Sequence, residues 1–115
     1  MISLAVKQAN KSAVRTKHGA VLAKGKRVIG VGHNQYKTHT KYGSGHWGWL
    51  HAEAVAIRDV IRKGINPAGA TIYITRLGDN RMSKPCPFCQ AMIEEHGIRK
   101  VIYTDEQGNV IPEFP

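Results

Sequence analysis

Acidic residues are scarce. Eight Asp and Glu stand against seventeen Lys and Arg, and the first 50 residues hold none while carrying nine basic ones. Nothing in that half neutralises Lys7, Lys11, Arg15, Lys17, Lys24, Lys26, Arg27, Lys37 and Lys41. The resulting positive field draws anions, phosphates above all, unless it is simply a basic surface with no specific partner. Cysteine is scarcer still: Cys86 and Cys89 are the only two. That count rules out a disulfide framework, and their C-x-x-C spacing favours metal or redox chemistry. Long apolar runs are missing as well, so no membrane span is expected. The N-terminus lacks the basic start and apolar stretch of a secretion signal, so a cytoplasmic location is expected. With no internal repeat, linker or low-complexity segment, 115 residues suit a single domain over 1–115 with one core.

What is present alternates between helical and strand patterns. Ile2, Ala5, Val6, Ala9 and Ala13 recur at helical spacing, which predicts an amphipathic helix from residue 2 to about 14. Gly19–Ala23 and Arg27–Gly32, joined across Lys24-Gly25-Lys26, predict a β-hairpin buried on both faces. Residues from Asn34 to Leu50 show no period, and an unpatterned stretch of that length tends to be functional. It holds Tyr36, Lys37, His39, Lys41, Tyr42, His46, Trp47 and Trp49. Aromatics among lysines suit stacking on a base while pairing with its phosphate, although either Trp could instead pack onto the core.

Downstream, His51–Lys63 predicts a helix with Gly64 as its cap, and Ala70–Thr75 a strand rich in β-branched residues. Pro87–His96 predicts a helix that starts on proline and is capped by Gly97. Val101–Tyr103 predicts a fourth strand. Asp105–Asn109 is a turn that could return Val110 and Ile111 as a fifth strand before Pro112. The order α-β-β-α-β-α-β implies an α/β fold: a mixed sheet of four or five strands with helices on both faces.

Chemistry concentrates in His51-Ala52-Glu53 and Pro85-Cys86-Pro87-Phe88-Cys89. One His and two Cys make three zinc ligands and leave a tetrahedral ion one open position. Glu53, two residues from His51, need not be a ligand and is free to move protons. Cys86 and Cys89 open a helix, where unpaired backbone N–H groups favour thiolates. A closed structural zinc site would recruit a fourth ligand from His33, His39, His46 or His96, but would leave Glu53 idle. A thioredoxin-type redox pair would leave both His51 and Glu53 idle.

The pairing of H-x-E with P-C-x-x-C resembles the cytidine deaminase superfamily. The resemblance covers residues 2 to 104 and implies the three-layer α/β/α fold of that superfamily. It implies Zn2+ held by His51, Cys86 and Cys89, with Glu53 as the catalytic proton shuttle. The implied reaction is hydrolytic: zinc-bound hydroxide attacks the amino-bearing carbon, C4 in cytosine or C6 in adenine, and ammonia leaves. Asn34 and Ala52 are the implied substrate-binding residues, joined by Trp47 and Lys37 from the unpatterned loop.

Ser83–Cys89, running on to Arg99–Thr104, is most like small cytidine and deoxycytidylate deaminases of bacteria and phages. Gln90-Ala91-Met92 departs from the Ala-Gly pair usual in tRNA adenosine deaminases. His33-Asn34-Gln35 is similar to the polynucleotide cytosine deaminases. Conversion of cytosine to uracil in a dCMP-like nucleotide is therefore expected. The alternative is a deaminase of cytosine or adenosine in single-stranded DNA or RNA, for which the basic first half would be the binding surface. An antiparallel return after Gly108 would depart from the extra helix and strand with which deoxycytidylate deaminases usually continue. So short a chain leaves surface to cover, and a homo-oligomer is expected.

Overall fold

The computed structural model describes residues 1–35 and 51–114. Helix α1 spans Ile2–Asn10, followed by β1 (His18–Lys24) and β2 (Arg27–His33). Then come α2 (Ala52–Arg62), β3 (Thr71–Arg76), α3 (Pro87–Glu95), β4 (Lys100–Thr104) and β5 (Val110–Glu113). The strands form one five-stranded sheet in the order β2-β1-β3-β4-β5. Only β3 and β4 run parallel; β1 is antiparallel to both its neighbours, and β5 returns antiparallel along β4. The mixed α/β sheet expected from the sequence is present, including the fifth strand. Pro112 sits within that strand opposite Ile102 rather than ending it, which an edge strand tolerates because one side of its backbone needs no donor.

Alternation along β1 sorts the helices onto two faces. Gly19 turns towards α1, where an added Cβ would collide with the backbone of Ala5 and Ala9. Ala20 and Leu22 point the other way, into the main core with Ile57 and Val60 of α2 and Ile93 of α3. Helix α1 is shorter than its apolar spacing predicts. The Ser12 hydroxyl donates to the Asn34 carbonyl and accepts from the Val14 N–H, a local alternative to helix bonding that leaves Ala13 exposed.

Both later helices stop as their glycines predict. Gly64 (φ +74°) and Gly97 (φ +72°) adopt the left-handed conformation that glycine takes without a Cβ penalty. Ile65 N–H then reaches back to the Val60 carbonyl, and Ile98 N–H to that of Ile93. Each isoleucine is thereby returned to the core.

Strand β2 lets α2 come close because it alternates glycine on that face. A Cβ on Gly32 would lie 2.5 Å from Ala56 N and 2.7 Å from Ala52 O. Gly32→Ala should therefore destabilise the fold by about 1–3 kcal/mol, because only backbone movement relieves the overlap. Denaturant midpoints of the two proteins check this, and unchanged stability would mean that α2 can slide off the sheet freely. On the outer edge of β2, Asp59 Oδ2 accepts from Val31 N–H and Lys63 Nζ donates to the Ile29 carbonyl. That ion pair occupies backbone groups that would otherwise invite another strand.

Candidate active site and metal centre

The N-termini of α2 and α3 meet at one end of the core. His51 is the N-cap of α2, with Ala52 and Glu53 in its first turn; Cys86 is the N-cap of α3, with Cys89 three residues on. The side chains that were 35 positions apart in sequence converge. His51 Nδ1 lies 3.2 Å from Cys89 Sγ and 3.6 Å from Cys86 Sγ. All three donor atoms lie within 4.8 Å of one another, and no other metal-ligating group of three exists among the described residues. Zinc bonds of about 2.0 Å to nitrogen and 2.3 Å to sulfur, opened at a tetrahedral angle, set N and S about 3.5 Å apart. The observed spacings match, so the donor set fits zinc.

The loop before Cys86 is tied down by Ser83. Its hydroxyl donates to the Ile74 carbonyl at 2.8 Å and accepts from Thr104 N–H at 2.7 Å. It thereby pins Pro85-Cys86 where the parallel strands β3 and β4 separate, the usual place for a site in such sheets.

Protonation of the two sulfurs follows from the hydrogen bond they share, from burial and from the amides at the start of α3. Cys86 is pulled down to about 5, mainly by the Cys89 thiol that donates to it, then by the amides of Cys89 and Phe88 and by His51, against its burial. Cys89 moves strongly upward, because its proton is shared with Cys86 and because it is buried near Glu53. Two sulfurs sharing one proton are a site that a cation completes by displacing that proton. Glu53 is buried, and burial raises its pKa; its own amide and His51 oppose the shift, and Cys86 adds to it.

A cleft opens onto this centre, bounded by His51, Glu53 and Cys86 with Ala52, Asn34 and His18. Asn34 is buried, and its amide is engaged with the chain: Oδ1 accepts from His18 N–H at 2.9 Å and Nδ2 donates to the Thr16 carbonyl. Ala52 lies at the cleft wall with the first-turn amides of α2. Lys37 and Trp47 lie outside the described residues, as do Tyr36, His39, Lys41, Tyr42, His46 and Trp49. Of the possible fourth ligands, His96 bonds the Met92 carbonyl and His33 lines a separate groove beside α1. His39 and His46 fall outside the described residues.

His18 belongs to no motif in the sequence, yet it lines the cleft. Burial, then the charge of Arg76, hold its ring down to about 4, so it is a neutral imidazole near pH 7. The available signal was a polar residue continuing the inward parity of Ala20 and Leu22 at a strand end.

Residues 1–105 match the family described as the cytidine and deoxycytidylate deaminase zinc-binding region. The chain belongs to this family. It is 38% identical over 56 residues to the deoxycytidylate deaminase of Enterobacteria phage T2, covering 49% of this chain. The chain matches only 26% of that relative's length. Its fold is that of the cytidine deaminase from Burkholderia pseudomallei, with a TM-score of 0.78 and 22% identity over 98% of this chain and 88% of the other. It also resembles the dCMP deaminase of cyanophage S-TIM5 in complex with dCMP and dUMP. There the TM-score is 0.66 and the identity 21%, over 87% of this chain and 74% of the other. At such identities the likeness is one of fold. Within the family's zinc-binding region fall His51, Glu53, Cys86 and Cys89. No helix among the described residues is long and apolar enough to cross a membrane.

Proposed function

We propose that the chain is a zinc-dependent hydrolytic deaminase that converts cytosine to uracil in a nucleotide of the dCMP type. One observation carries this reading: a buried carboxyl stands two residues from His51 in a cleft where three zinc donors converge at tetrahedral spacing. A redox pair or a closed structural site has no use for that carboxyl.

His51, Cys86 and Cys89 would hold the ion, and bound zinc supplies a Lewis acid that brings the pKa of water to about 7. Glu53 accepts a proton from the attacking water and passes it to the ring nitrogen N3. It then takes the C4 hydroxyl proton of the tetrahedral intermediate and delivers it to the departing amine as the carbonyl forms. Its low-polarity surroundings favour the protonated state between those transfers. First-turn N–H groups of α2 at Ala52 are suited to hold the base carbonyl at the positive end of the helix. Asn34, braced by Thr16 and by the His18 backbone and ring, is the cleft's amide contact for the substrate. Lys37 and Trp47 serve the sugar-phosphate side. Residues 1–115 act as a single deaminase domain that self-associates.

The test is a deamination panel on zinc-loaded protein, with dCMP, deoxycytidine, dCTP, adenosine and single-stranded oligonucleotides containing C or A. Turnover on dCMP with little on the rest is the expected result. Turnover on oligonucleotides alone would replace the nucleotide reading with a strand-editing one. Absence of turnover throughout would refute both.

A further inference from the structure

Three strands end side by side at the cleft. On the face that carries α2, the column Gly30–Gly32 of β2 continues to Asn34, and Leu22–Ala20 of β1 continues to His18. In the same way Ile72–Ile74 of β3 continues to Arg76, which pairs directly with His18. Directly paired residues on neighbouring strands project to the same face. His18 lines the cleft, so Arg76 stands beside its wall, close enough for its charge to act on the His18 ring.

Arg76 is half-buried, and its Nε is enclosed without a hydrogen-bond partner. No carboxylate pairs with it: the ion pairs among the described residues are Lys63–Asp59 and Lys84–Glu113. An enclosed N–H without an acceptor is costly, and the fork of a half-buried guanidinium is only partly hydrated. Lys84 lines the same cleft and is held to Glu113 only at 3.7 Å, with its side chain 54% exposed.

We propose that Arg76 is the anion receptor of this cleft, binding a phosphate oxygen of the substrate with Lys84 as a second, mobile positive charge. The planar fork of guanidinium N–H groups matches a phosphate bidentately. Arg76 is then the residue that separates phosphorylated substrates from free nucleosides. This proposal rests on the reading of the cleft as a cytosine site. The phosphate could be the terminal group of a mononucleotide or a phosphodiester of a strand.

Equilibrium binding to zinc-loaded wild type, Arg76→Ala and Arg76→Lys tests it, with dCMP, deoxycytidine, a single-stranded deoxycytidine oligonucleotide and inorganic phosphate as probes. Arg76→Ala should weaken dCMP about 10- to 100-fold, the worth of a charge-assisted bond, and leave deoxycytidine unchanged. Arg76→Lys should recover part of the loss. A loss seen on the oligonucleotide but not on dCMP would support the receptor and assign it a phosphodiester. Inorganic phosphate should raise the melting temperature of wild type and not of Arg76→Ala.

Equal weakening of dCMP and deoxycytidine would overturn the proposal. So would equal stabilisation of both proteins by phosphate, or an Arg76→Ala protein that melts well below wild type in phosphate-free buffer. If no cytosine compound binds at all, the cytosine reading of the cleft fails, and the phosphate arm still decides the role of Arg76.

Discussion

Replacing Glu53 by alanine should leave one zinc bound per chain while lowering turnover about 10²- to 10⁴-fold, the range for losing a positioned general acid–base. The two halves of this expectation have separate causes. The carboxyl is absent from the convergent donor set of His51, Cys86 and Cys89, so its removal leaves the ligands and their spacing intact. It is buried at the floor of the cleft, so bulk buffer replaces it poorly as a proton carrier. Glu53→Gln, which keeps the shape but not the proton affinity, should be nearly as inactive. Zinc content by metal analysis and kcat on the best substrate of the panel measure both halves together. An active Glu53→Ala enzyme would end the mechanistic assignment, and a zinc-free one would move Glu53 into the ligand set.

Replacing Cys89 should have the largest effect on stability. Its side chain is fully buried at the third position of α3, 3.2 Å from His51 Nδ1. Zinc that binds the folded chain stabilises it by linkage, about 4 kcal/mol at a thousandfold excess over Kd. For a chain of this size that is a rise in Tm on the order of 15 °C. Wild type should therefore melt well above its chelator-treated form. In Cys89→Ala, with only one thiolate and one imidazole remaining, added zinc should move Tm hardly at all. Equal stabilisation of both proteins by zinc would show that the ion binds elsewhere.

Much of this architecture is legible locally. The hairpin follows from two apolar runs across Gly25, which takes φ +60° at the turn. The helix ends follow from Gly64 and Gly97, and the start of α3 from Pro87. The zinc donors are legible because a metal constrains residue types: a C-x-x-C on a helix start and a His beside a Glu leave few other uses. Apolar spacing carries α1 past its observed end because it does not register what Ser12 does with its hydroxyl, which depends on Asn34, 22 residues away.

Sequence alone determined that the chain has helices and strands in this order, and a His and two Cys suited to zinc with a carboxyl beside them. Those properties are written in neighbours a few residues apart, through helical period, strand alternation and turn chemistry. Only the tertiary structure decided that Asn34, His18 and Arg76 share a row beside that centre, and that Ser83 anchors the approach to Cys86. Cross-strand register sets those neighbours, and register is fixed by long-range pairing and packing across the sheet, which no local pattern records.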